Sequence, residues 1–324
     1  MSSAQPRVSS ELKARPPTAW ERGWDRVFRS TSSVFALLSA LLVLFIVGGL
    51  MVSAIPTIRD RGLELLLSQK WAPNRNVYGL LPHVVGTIYS SVVALLLGSF
   101  FGIFIAIFIT EDFLPRAVRL IFKNLIELLA AIPSVIYGFW GYRVLNPALE
   151  DPAQWMQRNL DWFPLFDKYT AGTGMLSGSI VLTIMILPTI TAISRNALDA
   201  VPKKLREGAY GLGATRWETI FQVVLPTAST GLFGAAVLGF GRAVGETMAL
   251  AMLIGSSTEL NWSILASGNT LAAVIANNWG EANDTFKGIL LYGALILMLI
   301  TLGINALGSF IVRRATRSLQ GVRK

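Results

Sequence analysis

The 324-residue chain contains no cysteine and a single histidine. The first absence removes disulfides, thiolate zinc sites and cysteine nucleophiles in one step. A solitary His83 cannot assemble a metal cluster, and its place beside Pro82 reads as a loop or interface residue rather than a proton relay. Charge is also scarce: Asp, Glu, Lys and Arg make up 15% of the chain against 53% hydrophobic residues, with a mean hydropathy of +0.55. That balance excludes an ordinary soluble domain and indicates a polytopic membrane protein. No Gly-Lys dipeptide occurs anywhere. The chain therefore has no G-x-x-x-x-G-K-[ST] loop with which to cradle nucleotide phosphates. Nothing at the N-terminus resembles a cleavable leader, because residues 1–30 are mostly polar ahead of the first apolar run.

What is abundant is apolar sequence in six long stretches, at about Val34–Ile55, Val84–Thr110, Asn124–Leu145, Gly174–Ile193, Ser229–Gly255 and Gly288–Val312. Each provides the roughly 20 residues that cross a hydrocarbon core. The predicted fold is therefore all-α, with six membrane-spanning helices. An even number of spans puts both termini on one side. The net charge of +9 is partitioned accordingly: 19 Lys and Arg flank the spans on the side of the termini and 8 on the other. The positive-inside rule places the termini in the cytoplasm, and flanking positions of this kind argue against a nucleic-acid footprint.

The expected organisation is a cytoplasmic tail over 1–30, a first span with its outer loop over 31–83, a five-helix core over 84–312 and a basic tail over 313–324. Within the tail, WERGWDRVFRS spaces Trp20, Trp24 and Phe28 four apart, the pattern of a short amphipathic helix at the interface. The outer loop 56–81 predicts another short amphipathic helix followed by a turn-rich piece. Residues 146–173, rich in Pro, Asp and Trp, predict a ragged outer surface suited to an external protein or to lipid headgroups. The run between Ser256 and Lys287 is too short to span and reads as a re-entrant or interfacial element. Pro133 and Pro188 should kink their spans. Gly231, Gly234, Gly239, Gly241 and Gly245 make the fifth span small-sided, so that neighbours can approach closely.

Two charges fall inside that fifth span. Counted from Ser229, Arg242 and Glu246 lie near mid-bilayer, where an ionisable group is costly and usually faces protein or a polar route. Four residues apart, they share one helix face and can neutralise each other. A structural ion pair and a guanidinium fork offered to a passing oxyanion both satisfy the residues.

The preceding loop narrows the choice. From Glu207 it runs Glu, Gly208, Ala209, three residues, Gly213, nine residues, then Val223, Val224, Leu225, Pro226. This resembles the EAA loop of ABC-importer permeases, with Gly208 in place of the usual second Ala and Val223 in place of Ile. Three further stretches, ELLAAIPSVIYGFWG at 127–141, EGAYGLGATRWE at 207–218 and LGFGRAVGETMAL at 238–250, resemble the C-type permease subunits (PstC) of bacterial phosphate-specific ABC importers. So does APNRNVYGLLP at 72–82.

The resemblance implies a type I importer (MetI-like) fold in the bacterial inner membrane. It implies a PstA-type partner permease, two PstB-type ATPases that bind ATP and Mg²⁺, and a PstS-type phosphate-binding protein outside. It also implies that Arg242, Glu246 and Thr247 of GRAVGET lie on the substrate route. The loop over 195–228, with Glu207, Gly208, Ala209, Gly213, Leu225 and Pro226, would dock the ATPase. The chain is then a transport subunit rather than an enzyme and carries no cofactor of its own. Competing readings are a permease for sulfate or molybdate, a proton-coupled secondary transporter using Glu246, and a non-transporting scaffold.

Overall fold

The computed structural model describes residues 18–111 and 113–321. The tail expected over the first 17 residues lies outside them. The chain divides into two units, Met1–Gly49 and Leu50–Lys324.

From Ala19 on, the described part of the first unit is helical and belongs to helix α1, Ala19–Arg61. At 43 residues it measures about 65 Å. The amphipathic segment around Trp20 and Trp24 is therefore not a separate short helix but the first turns of this rod. No proline interrupts the junction, and Ser33 and Ser39 donate their hydroxyls back to the carbonyls of Arg29 and Phe35, so neither competes for a turn.

The second unit is all-helical, with no β-strand among its described residues. After α2 (Glu64–Leu67) and a 3₁₀ turn at Pro73–Arg75, the long helices α3 (Leu81–Thr110) and α7 (Met175–Asp199) form the central pair. Between them α4 (Arg116–Ala131) and α5 (Ser134–Trp140) meet at a 97° bend. The bend sits at Ile132 and Pro133, both extended, because proline pushes the residue before it out of the helical region. The expected third span is thus broken rather than kinked. Among the described residues five helices are long and apolar enough to cross a membrane, and six if the bent pair counts as one span. Pro188 leaves α7 helical throughout.

From α5 the chain passes through a π turn, Gly141–Leu145, into α6 (Asn146–Leu160). Most of the supposedly ragged outer segment is therefore helical. Pro147 stands where the π turn passes into α6. The elbow helices α8 (Lys203–Gly211) and α9 (Arg216–Thr219) follow α7, and a second π turn, Ile220–Val224, leads into α10 (Leu225–Val244). Both π turns precede an X-Pro step. Pro226 and Pro147 have no N–H for the carbonyl four residues back, and the N–H of the residue before each reaches five back instead, Leu225 to Ile220 and Asn146 to Gly141.

The fifth span also differs from expectation. The helical rod runs from Arg216 to Val244 and stops at Gly245, and a separate short helix α11 begins at Met248 and ends at Leu253. Gly239 and Gly241 admit Ile190 and Asn305 to within 2.7 and 2.8 Å of where a Cβ would stand, so α10 packs tightly on α7 and on the last helix, α13 (Asp284–Gly321).

The run expected to be re-entrant or interfacial holds α12, Leu271–Asn278, too short to span and buried along Leu271–Val274. It docks on the first turns of α3: Gly86 lies directly under the Asn269 carbonyl, and the Leu271 N–H donates to Thr87 Oγ1 at 2.9 Å. His83 proves to be neither a loop nor an exposed interface residue. It is fully buried in the first turn of α3, its ring 4.6 Å from that of Trp71.

Candidate functional site

The elbow between α7 and α10 is built to project. No residue of α8 is buried, Glu207 and Gly208 are exposed, and Leu212 at the tip is 91% exposed. The turn closes through Leu212 N–H to Gly208 O, Gly213 N–H to Tyr210 O and Ala214 N–H to Ala209 O. Gly213 takes φ +86°, the left-handed region that favours glycine after a helix. Thr215 and Glu218 then form a reciprocal capping box that starts α9. Leu225 packs partly into the cluster of Leu198, Ile220 and Val224, and Pro226 stands in the first turn of α10. The signature residues thus fall into two groups: Glu207, Gly208, Ala209 and Gly213 form the projecting tip, and Leu225 and Pro226 form its root.

The root is held by a clamp that sequence reading missed. Arg206 donates to Glu111 Oε1 at 2.8 and 3.3 Å, to Val201 O at 2.7 Å and to Leu198 O at 2.9 Å. Their side chains are only 16% and 6% exposed. One guanidinium therefore ties the elbow to the end of α3, supplies a donor to the Val201 carbonyl just past α7 and adds a second one to the Leu198 carbonyl, which already accepts the Val201 N–H. Beside it Phe113 stacks on Trp217 with ring centres 5.1 Å apart.

Arg242 lies far from the elbow. It donates to Thr189 Oγ1 at 3.3 Å, and Thr189 stands near the middle of α7. The guanidinium, carried on the last turn of α10, is therefore level with the middle of α7, and its expected partner is elsewhere. The helix breaks at Gly245, so Glu246 no longer shares a face with Arg242, and the two form no ion pair. Glu246 Oε1 instead accepts the Ala249 N–H at 3.3 Å, capping α11, while Thr247 donates to Gly245 O. Arg242 is exposed on the free chain. Apart from Thr189, it has no hydrogen-bond or ion-pair partner among the described residues. Leu238, one turn below, is 55% exposed.

Residues 98–317 match the family of binding-protein-dependent transport system inner membrane components. The chain belongs to that family. Relatives in the same class include the phosphate transport system permease protein PstC of Xylella fastidiosa, 38% identical over 79% of this chain and 81% of the relative. The protein of the same name from Mesorhizobium japonicum is 37% identical over 90% of each chain.

Two solved structures share the fold. One is the inward-facing MetNI methionine ABC transporter, with TM-score 0.54, 20% identity, and 73% of this chain and 95% of that one covered. The other is a bacterial alginate ABC transporter in complex with an alginate-bound periplasmic protein, with TM-score 0.60, 16% identity, and 90% and 98% covered. The chain is accordingly a multi-pass inner-membrane transport component with a MetI-like, all-helical fold.

Within such a component the residues missed by sequence reading are Thr189, Arg206 and Glu111. Glu111 carried a faint signal, as a carboxylate abutting the end of an apolar span, and Arg206 did too, as the cation just ahead of the elbow signature. Thr189 carried none.

Proposed function

We propose that this chain is one permease half of an ATP-driven phosphate importer, with both termini and the elbow on the cytoplasmic side. The observation that carries this reading is Arg242: a mid-span guanidinium, exposed on the isolated chain and bonded to a neutral hydroxyl. Facing lipid, such a charge costs at least about 2.5–3.5 kcal/mol. The face bearing it must therefore be covered by protein or water, and a second permease across a shared route supplies both. PstC-named relatives support phosphate as the solute and a PstA-type chain as that second half.

A guanidinium keeps its proton at any working pH and matches an oxyanion through two parallel N–H groups. A single cation is enough to lower the desolvation barrier for phosphate without holding it, and transport requires that the anion also leave. Tight binding then belongs to an external PstS-type protein. Glu246 caps α11, and Thr247 lies in the break beside it; together they end α10 immediately beyond the cation and shape that part of the route.

Energy enters at the elbow. Its projecting tip, with Leu212 bare and Tyr210 and Trp217 partly exposed, offers an apolar knob on a polar arm for a groove in a PstB-type ATPase, two copies serving the two permease halves. The Arg206 clamp makes that arm move as one body with the ends of α3 and α7. ATP and Mg²⁺ are the ATPases' ligands.

The test is phosphate uptake by proteoliposomes carrying the complete complex. Arg242→Gln should assemble normally and abolish uptake; full phosphate transport by that variant would reject the route. Uptake of sulfate or molybdate in place of phosphate would reassign the solute.

A further inference from the structure

The stretch ELLAAIPSVIYGFWG at 127–141 folds into the 97° bend between α4 and α5. Such a break leaves backbone groups without their helical partners, and hydrocarbon offers no water in their place. The carbonyl four residues ahead of Pro133 belongs to Leu129, and proline has no N–H to give it. The Tyr137 hydroxyl supplies the missing donor, reaching back across the break to Leu129 O at 2.7 Å. The phenol therefore latches the two arms of the bend to each other.

The same turn of α5 is the seat of the elements around Arg242. Tyr137 is buried in a cluster with Val181 and Met185 of α7 and Ala249 and Leu253 of α11. Gly138 brings Ala249 Cα within 3.1 Å of where a Cβ would stand, and Gly141 brings Leu253 and Val181 within 2.7 and 3.0 Å. Ala249 is also the residue whose N–H Glu246 accepts in capping α11. Met185 lies one turn before Thr189, the acceptor for Arg242. Helix α5 thus bears on both the helix that offers Arg242 its acceptor and the one that follows its break. Arg242 is near enough for its charge to act on the phenol.

We propose that Tyr137 is a positioning residue for transport: by latching α4 to α5 it fixes the angle at which α5 bears on α7 and α11, and so the place of Arg242 beside the anion's route. That role rests on the route assigned to Arg242. The phenol takes no part in binding the anion, since its proton is committed to Leu129 O and its ring is buried. Apolar contacts at Gly138 and Gly141 hold α5 close but carry no direction, and the hydrogen bond supplies it.

The experiment uses the complete complex in proteoliposomes, assembled with cysteine-free partner subunits. The chain itself has no cysteine, so Ile121→Cys on α4 and Ile136→Cys on α5, both exposed on the isolated chain, take a pair of spin labels whose distance distribution reports the bend. Tyr137→Phe keeps the ring and removes only the hydroxyl. It should broaden that distribution and lower the maximal rate of phosphate uptake about fivefold, the weight of one neutral hydrogen bond. The half-saturating phosphate concentration should stay within about twofold, because an interaction that does not touch the anion leaves binding alone. Arg242→Gln should abolish uptake and leave the distribution as narrow as in the wild type.

An unchanged distribution in Tyr137→Phe would overturn the latch, and an unchanged maximal rate would overturn its role in transport. Failure of Tyr137→Phe to assemble would show the hydroxyl to be a requirement for folding rather than for position, and would overturn that role as well. Full uptake by Arg242→Gln would instead reject the route itself, and the role of Tyr137 would fall with it even where the distances had confirmed the latch.

Discussion

Removing either partner of the Arg206–Glu111 clamp should be among the most damaging single changes at the elbow end of the chain. Arg206→Met leaves the Glu111 carboxylate, 6% exposed, without its cation and removes the guanidinium donor from the Val201 and Leu198 carbonyls, the second of which keeps the Val201 N–H. Glu111→Leu leaves the guanidinium with two neutral acceptors. Stranding one member of a buried pair costs about 3–5 kcal/mol. Because Arg206 retains 16% exposure, water reaches it, and the lower figure of about 3 kcal/mol applies to each single variant.

The double variant should behave differently, since replacing both partners with apolar groups leaves no stranded charge. It should lose about 1–3 kcal/mol, the cost of the Val201 carbonyl left without its donor, rather than the roughly 6 that additivity would give, a coupling energy of at least about 3 kcal/mol. The four proteins can be compared by chemical denaturation of the detergent-purified complex, with transport-coupled ATPase activity measured alongside. Single variants losing under 1 kcal/mol each, with effects that simply add, would show that the clamp is an ordinary solvated pair. The mechanical role assigned to it would then fall.

The remaining predictions concern backbone geometry. Gly213→Ala meets open space but must hold φ +86°, costing about 1–2 kcal/mol at the elbow tip. Less ATPase subunit should co-purify with that variant, and wild-type recovery would count against the tip as the docking surface. Gly86→Ala drives a methyl into the Asn269 carbonyl, which is backbone and cannot swing aside, and should destabilise by about 1–3 kcal/mol. Limited proteolysis between Ser256 and Asn269 should accelerate accordingly, and an unchanged digestion rate would show that α12 is anchored elsewhere. Thr215→Ala removes one side of the capping box and should cost about 1 kcal/mol, measured as a lower unfolding midpoint of the complex.

Long apolar runs with short polar joints made the all-helical membrane class legible, because a span needs length and hydropathy before anything else. The elbow was legible too, since a helix-ending glycine and a proline after an apolar run are local signals that survive folding. What escaped was set by partners distant in sequence or by single turns. Pro133 was read as a kink and produces a right-angle break, because both it and Ile132 are extended. The Arg242–Glu246 pair followed from helical spacing, and that spacing ends at Gly245. Once the rod stops there, the nearest hydrogen-bond partner for Arg242 is Thr189, 53 residues away. Glu111 and Arg206 are 95 residues apart, and no local pattern links them.

The claim on which the account rests is that the mid-span guanidinium borders an aqueous anion route. Because the chain has no native cysteine, Thr189→Cys places one thiol beside it. In the assembled transporter a membrane-impermeant anionic thiol reagent should label that cysteine, more slowly when inorganic phosphate is present or when Arg242→Gln is added. Labelling only by a lipid-soluble maleimide, indifferent to phosphate and to Arg242, would contradict the account.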